Sequence, residues 1–163
     1  MLHGGWRENL YRRRLRQPEQ FSILQWLNQG VSQIAQQLGW QTLDLQLSAD
    51  GARSVEQVET NTILARQLAI AGQAYELRII PRQEQETTIW RFELRNTTVR
   101  AFIPEEFKLR LLTEDLQPFP NNEDLATIAT EQLFVEIALE PGEGIVWEIE
   151  PIPENCDREI LKF

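Results

Sequence analysis

The chain has 163 residues, about the size of one ordinary domain, so it can bury a core but is too short for two full-sized domains. Apolar residues make up 42% of it and the mean hydropathy is −0.39, which excludes a disordered chain, and no uncharged apolar run is long enough to span a membrane. A single cysteine, Cys156, excludes an internal disulfide. Because the start also lacks a secretory apolar region, we expect a cytoplasmic protein.

The net charge of −9 is distributed unevenly. Residues 1–20 hold five arginines against two glutamates, a local charge of +3, whereas residues 114–163 hold thirteen carboxylates against Arg158 and Lys162, a local charge of −11. An acidic surface of this kind repels nucleic-acid phosphates and anionic lipid headgroups, and it favours basic partners or plain solubility. We therefore expect no nucleic-acid partner.

The first predicted segment, residues 1–17, is an Arg-rich N-terminal arm. Its apolar and aromatic residues recur at helical spacings beside a run of arginines, the combination that interface hot spots favour. We predict that it binds a second protein, or the acidic 114–163 region of a neighbouring copy in a homo-oligomer; a solvated or disordered tail is the alternative. The candidate partner-binding residues are Trp6, Leu10, Tyr11, Arg12, Arg13, Arg14, Leu15, Arg16 and, from the next segment, Trp26.

A helical period follows from about residue 18 to residue 38. Its apolar positions are spaced by three or four residues and predict one amphipathic helix, with Gly39 as its C-terminal cap. Gly30 falls inside this helix, where it lowers stability or permits close packing. The apolar stripe is expected to pack on the core, while the opposite face is rich in glutamine. The stripe consists of Phe21, Leu24, Leu27, Val31, Ile34 and Leu38.

After Gly39 the period changes from 3.6 residues to 2. Residues 40–47 fit either a strand or an extension of the helix, so residues 18–47 are taken together as one segment. Residues 48–62 are polar and contain serine, aspartate and glycine, which predicts a linker. Residues 63–163 then form the predicted β-sandwich domain.

Short alternating segments recur about every ten residues in this last region. Such spacing is typical of an antiparallel sandwich or barrel. The predicted fold is therefore mainly β with an N-terminal α-helix, an antiparallel β-sandwich packed by one amphipathic helix. Trp90 and Trp147 fall on the apolar faces of their strands and are expected in the core. The eight predicted strands lie near residues 63–71, 75–79, 90–95, 107–111, 125–130, 133–139, 145–149 and 159–163.

Residues that carry chemistry are scarce. The only histidine is His3, so neither an imidazole-based catalytic site nor a two-histidine metal site can be built. Cys156 is flanked by Glu154 and Asp157, whose charges raise the pKa of a thiol and disfavour a nucleophile. Acidic pairs such as Glu105 and Glu106 match no calcium loop. We therefore predict no catalytic residues, no metal, no cofactor and no enzyme, with a carboxylate-only enzyme as a minor alternative.

Two functions fit this inventory. The first is a non-enzymatic protein-protein interaction or adaptor module that uses the Arg-rich arm and the helix. The alternative is a ligand-binding β-sandwich, for which exposed Trp6, Trp26 or Trp40 would offer platforms for carbohydrate. Tryptophan exposure distinguishes the two.

Five stretches carry a resemblance to a known family. FSILQWLNQG at residues 21–30, with LGWQTL at 38–43, is similar to the L-x-x-W-L and G-W-Q-x-L pattern of the cyanobacterial domain-of-unknown-function family 1822. IPEEFKLRLL at 103–112 resembles its L-P-x-x-L-K-L-x-L-L strand. EPGE at 140–143 and the closing REILKF at 158–163 resemble its turn and last strand.

The resemblance covers residues 21–163 by pattern rather than close identity. It implies a cyanobacterial cytosolic protein that looks like a short form consisting of the family's C-terminal part. The family brings no catalytic or binding residues to carry over. Because family genes tend to lie near those for large signalling and caspase-like regulatory proteins, the resemblance favours the adaptor function.

Overall fold

The structure is a computed structural model that describes residues 19–46 and 60–163. Within these residues it contains two short helices and ten strands. In chain order they are β1 (Glu19–Ser22), α1 (Ile23–Gln29), α2 (Gln33–Leu38), β2 (Trp40–Gln46), β3 (Thr60–Ile70), β4 (Gln73–Glu84), β5 (Thr87–Asn96), β6 (Lys108–Thr113), β7 (Glu123–Leu125), β8 (Gln132–Ala138), β9 (Gly144–Glu150) and β10 (Glu159–Lys162).

The described strands form two five-stranded sheets. The first has the order β1-β10-β9-β6-β7 and the second the order β2-β3-β4-β5-β8. Neighbouring strands are antiparallel except β1 and β10, which run parallel with Glu19 opposite Glu159. The prediction of a mainly β, antiparallel sandwich is therefore confirmed.

Alternating apolar side chains from both sheets form one core. In β5, Trp90, Phe92 and Leu94 are all buried, as period-2 alternation requires of the inward face. Aromatic rings join the sheets: the ring of Trp90 lies 4.7 Å from that of Phe163, just past the end of β10. Trp147 is also buried, so the prediction that Trp90 and Trp147 lie in the core is confirmed.

The single helix predicted over residues 18–38 is wrong. Strand β1 occupies its start because residues 19–22 pair with β10, and the helical part is broken into α1 and α2. Gly30 has φ +90°, and its N–H donates to the carbonyl of Trp26, which ends α1; Ser32 then caps α2 through its hydroxyl. The caps at Gly30 and Ser32 therefore break the helix, although the apolar spacing continues through them.

The predicted apolar stripe is divided by this break. Phe21 is buried, and Leu27 and Val31 are partly buried against the core. The other three positions, Leu24, Ile34 and Leu38, are exposed, because two short helices in sequence cannot present one continuous face. The prediction of Gly39 as a C-terminal cap is confirmed, since its φ is +109° and its N–H donates to the carbonyls of Ala35 and Gln36.

Other boundaries also needed correction. Of the two alternatives left open for residues 40–47, the strand is the one observed, as β2, whereas β3 begins at Thr60, within the predicted linker. The strand predicted over residues 125–130 is wrong: β7 ends at Leu125, and Thr130 makes only an isolated bridge to Ile103. The Arg-rich arm and most of the predicted linker lie outside the described residues. None of the described helices is long and apolar enough to cross a membrane.

The lateral sides of the sandwich are bridged differently. On one side, α1 and α2 connect β1 of the first sheet to β2 of the second. On the other side, the Asp124 carboxylate of β7 accepts the backbone N–H of Phe134 in edge strand β8 at 3.0 Å. A carboxylate on an edge N–H occupies a position where another strand could pair, which protects that point of the edge.

Candidate functional site

A groove of about 660 Å³ lies on the outer face of the second sheet, and we call it the arginine groove. Arg78 on β4 and Arg95 on β5 form its floor. In the backbone register of these strands, Arg95 lies opposite Glu76 and Arg78 lies opposite Glu93. The loop of residues 97–102 forms one wall, and Glu131, just before β8, completes the lining. The groove volume is within the range of typical ligand sites.

The wall loop is fixed by hydrogen bonds. The backbone N–H and the hydroxyl of Thr97 both donate to the carbonyl of Ala74, at 3.1 and 3.0 Å. The Asn96 side chain accepts the N–H of Thr98 at 2.9 Å, a local turn that asparagine favours. The N–H of Ala101 donates to the carbonyl of Thr98 at 3.1 Å and closes a turn, in which Arg100, with φ +64°, is one of the two central residues. The loop is thus held in one conformation before any partner arrives.

Carboxylates already pair with the arginines of the floor. Arg78 forms an ion pair with Glu76, which also accepts the side-chain amide of Gln67 at 2.9 Å. Arg95 Nε lies 3.4 Å from Glu93 Oε1, and Glu93 is buried although it belongs to the outer face of the sheet. Arg100 is exposed at the rim and takes no part in these ion pairs between described residues. Its guanidinium is therefore available to a carboxylate from outside.

Two apolar side chains flank Arg100. Val99 is 86% exposed and Phe102 is 54% exposed, although both are large hydrophobic residues on an ordered loop. Arginine beside exposed apolar and aromatic groups is the composition of a protein-binding surface. The arrangement can hold a carboxylate by the forked guanidinium and cover an apolar side chain beside it.

A second polar cluster lies between the two sheets. The Glu159 carboxylate accepts the indole N–H of Trp40 at 2.7 Å and the Nε–H of Arg66 at 3.2 Å. Burial raises the pKa of Glu159, while Arg66 and the Trp40 hydrogen bond oppose that rise. The indole N–H of Trp147 also lowers this pKa, although it makes no hydrogen bond of ordinary geometry to the described residues. With side chains only 6% and 3% exposed, Arg66 and Glu159 link the sheets and offer little access to a ligand.

Cys156 lies at the margin of this cluster, with its Sγ 3.6 Å from Arg66 Nη2. Burial raises the pKa of Cys156 to about 11, and the charges of Glu159 and Asp157 add to that rise against the opposing effect of Arg66. The direction agrees with the sequence analysis, but burial rather than neighbouring charge is the chief cause. At neutral pH the group is a thiol, which is a poor nucleophile.

A family profile described as "Protein of unknown function (DUF1822)" matches residues 1–162. The chain belongs to this family. The match extends to the N-terminal side of the motifs quoted above, and the family description assigns no activity. No curated protein and no solved structure matches the chain.

The predicted partner-binding residues of this DUF1822 chain fall into two groups. Trp6, Leu10, Tyr11, Arg12, Arg13, Arg14, Leu15 and Arg16 lie outside the described residues. Trp26 is buried, with its ring 4.9 Å from Phe21 and 5.3 Å from Trp40. Its indole is thus part of the chain's own core.

The carbohydrate alternative depended on exposed tryptophans. Trp26 and Trp40 are 4% and 1% exposed, so the expectation that they form an exposed platform is wrong, because both rings are buried in the core of the DUF1822 chain, where they pack against each other. Trp6 lies outside the described residues.

The sequence analysis missed the arginine groove. Its residues are separated in sequence and meet only because β4 and β5 pair. One local signal was available: Val99 and Phe102 are apolar residues in a stretch that lacks strand alternation, between two alternating segments. Apolar side chains on a connecting loop are exposed unless another element covers them.

Proposed function

We propose that the chain is a non-enzymatic protein-interaction module whose arginine groove binds an acidic, partly apolar segment of a partner protein. The observation that carries the proposal is the exposure of Val99 and Phe102 on either side of Arg100, on a loop anchored by hydrogen bonds. A preorganised loop loses little entropy on binding, so its apolar contacts contribute more of their energy to affinity.

The floor of the groove supports a role in specificity. The floor arginines are partly neutralised by Glu76 and Glu93, so the exposed positive charge is concentrated at Arg100. An acidic residue of the partner at that point gains a charge-assisted hydrogen bond, while Glu131, which also lines the groove, repels a second one. We expect one carboxylate flanked by apolar side chains rather than a long acidic run.

Selection from a random peptide library on the immobilised full chain tests this function. Selected peptides should combine one acidic residue with neighbouring apolar residues, and Arg100→Glu should weaken their binding at least tenfold. Arg82→Glu is the matched control, because Arg82 is also an exposed arginine on the outer face of the second sheet but lies outside the groove. Peptides that bind both variants equally well would contradict the proposal.

The exposed face of α2 also supports the predicted use of the helix in protein binding. Ile34 and Leu38 lie four residues apart on α2 and are 63% and 36% exposed, so they share one face of that helix. Glutamines surround them, and uncharged polar groups are easier to bury in a contact than charged ones. The arm of residues 1–17 as a partner-binding element, and a homo-oligomer built with it, stay predictions. Light scattering with and without these residues tests both.

The absence of catalysis is part of the same proposal. Its positive support is the raised pKa of Cys156, which keeps the single thiol protonated at neutral pH. The sequence motifs of the family support a cyanobacterial source, and the single cysteine supports a cytoplasmic location. A broad hydrolase screen with Glu105→Gln and Glu106→Gln controls tests the carboxylate-only alternative.

A further inference from the structure

A second groove, of about 430 Å³, lies at the opposite sheet and is separate from the arginine groove. It is formed where β9 ends and residues 151–158 return the chain to β10, and we call it the β9–β10 groove. Pro151, Ile152 and Pro153 supply much of its apolar lining, and Ile152 is 78% exposed. The backbone N–H of Glu154 donates to the carbonyl of Ala69 in β3 at 2.7 Å, which fixes the loop and keeps the groove formed.

The charge of this groove is opposite to that of the arginine groove. Glu148, Glu150 and Asp157 line it against the single base Arg158. Arg158 pairs with Glu148 at 2.6 Å, and Arg110 pairs with Glu150 at 2.7 Å, so two of the three acids are already compensated. Asp157 has no basic partner among the described ion pairs, so its carboxylate gives the groove a net negative charge.

The surrounding sequence strengthens this bias. Residues 114–163 carry a net charge of −11, so the field around the groove attracts cations and repels the acidic segments that suit Arg100. An apolar groove with an uncompensated carboxylate at its edge favours a ligand that pairs an apolar side chain with a base. Neither groove therefore serves the other's ligand.

We propose that the β9–β10 groove is a second docking site, for a basic segment of another protein in which an apolar side chain is flanked by arginine. The apolar side chain lies against Ile152 and the neighbouring prolines, and arginine pairs with Asp157. The inference goes beyond the proposed function, because two grooves of opposite charge preference let one chain bridge an acidic and a basic partner. The bridging of two partners needs both grooves, whereas the docking site itself does not depend on the arginine groove.

Fluorescence anisotropy with two labelled peptides tests the site. The probe is Gly-Leu-Arg-Arg-Phe-Arg-Arg-Leu-Gly, and its control carries glutamate at every arginine. The full chain should bind the arginine peptide and not the glutamate peptide. Asp157→Asn and Ile152→Ser should each weaken binding about fivefold or more, and the bound peptide should slow alkylation of Cys156, which lines the groove.

Matched variants separate this site from general attraction to an acidic protein. Ile128→Ser removes another apolar side chain that is 71% exposed and lies outside the groove, so it should leave binding unchanged. Arg100→Glu should not weaken binding of the arginine peptide either. Because this variant should lose the library peptides but keep the arginine peptide, failure of the proposed function and failure of the β9–β10 site are distinguishable. Equal binding to the Ile152→Ser and unaltered chains would overturn the proposal.

The same titration is repeated on the chain lacking residues 1–17, because that segment is itself basic and contains tryptophan, leucine and tyrosine. Similar affinity for both chains supports a partner protein as the occupant. Binding that appears only after the deletion would identify the chain's own segment as the competitor and overturn the assignment to a partner.

Discussion

Arg66 and Glu159 form an ion pair across the core, with Arg66 Nη2 3.1 Å from Glu159 Oε1. Arg66 belongs to β3 of the second sheet and Glu159 to β10 of the first, so the pair joins the two layers of the sandwich. Trp40 adds a hydrogen bond to the same carboxylate. Most buried positions of this core are apolar, and these charges are tolerated because each has a partner.

Arg66→Ala should destabilise the chain strongly. It leaves the buried Glu159 carboxylate without its countercharge, which typically costs about 3–5 kcal/mol. Arg82→Ala removes an arginine that is 56% exposed and should cost about 0–1 kcal/mol. Urea unfolding measures both. The double variant Arg66→Met with Glu159→Leu should recover much of the stability lost in Arg66→Ala. Equal losses for Arg66→Ala and Arg82→Ala would contradict the assignment.

Stability should depend on pH through Glu159. Because burial raises its pKa above the ordinary value of 4.5, the folded chain retains this proton at pH values where the unfolded chain releases it. The stabilisation is therefore complete below 4.5 and is lost as the pH rises through the folded pKa. Relative to Glu159→Gln, the free energy of unfolding should fall as the pH rises above 4.5. A difference that stays flat or rises with pH would show that Arg66 dominates instead.

The strands were predictable because their signal is local. Alternation at Trp90 to Leu94 and at Ile145 to Ile149 reflects a buried and an outer face, and these segments became β5 and β9. The helix failed for an equally local reason: its period ran across Gly30 and Ser32, whose capping roles depend on single backbone conformations. Strand β1 was missed because its partner, β10, lies 140 positions further along the chain.

The sites were less predictable because they depend on pairings that sequence spacing does not show. Arg78 and Arg95 share a groove only through the β4–β5 register. The helical position of Trp26 suggested a partner-binding residue, but its ring packs between Phe21 and Trp40. The sequence shows which chemical group stands at each position, whereas the strand pairing determines which of these groups come into contact.

Alkylation of Cys156 should be slow. With a pKa of about 11 against an ordinary 9.0, the thiolate fraction at pH 8 is about a hundredfold lower than in the unfolded chain. The rate with iodoacetamide should therefore keep rising up to about pH 11. The urea-unfolded chain, whose only cysteine is the same residue, is the control and should level off about two pH units earlier. Coincident pH profiles would rule out the raised pKa.

Fluorescence should report buried tryptophans. The four described tryptophans, Trp26, Trp40, Trp90 and Trp147, are each less than 5% exposed. In a Trp6→Phe variant, which retains only these four, acrylamide should quench weakly, and the quenching constant should rise severalfold on unfolding in urea. The unaltered chain measures the added contribution of Trp6. Strong quenching of the folded variant would be inconsistent with the core described here.

Gly39→Ala should destabilise the chain more than a glycine substitution in open space. A Cβ at Gly39 would lie 2.8 Å from Arg66 Nη1 and 3.1 Å from the carbonyl oxygen of Gln67, in addition to the strain of φ +109°. Gly72 also has a positive φ, +79°, but no described atom lies within 4 Å of its Cβ position. We expect losses of about 2–4 kcal/mol for Gly39→Ala and about 1 kcal/mol for Gly72→Ala.

The reason for the difference can itself be tested. Arg66 cannot simply move aside for the new methyl group, because Glu159 holds its guanidinium from the opposite side. Gly39→Ala and Arg66→Ala therefore disrupt one contact and should be less than additive in a double-mutant cycle, whereas Gly72→Ala and Arg66→Ala should be additive. Additive losses for Gly39 and Arg66 would mean that backbone strain alone requires glycine at position 39, and that the arginine has room to reposition.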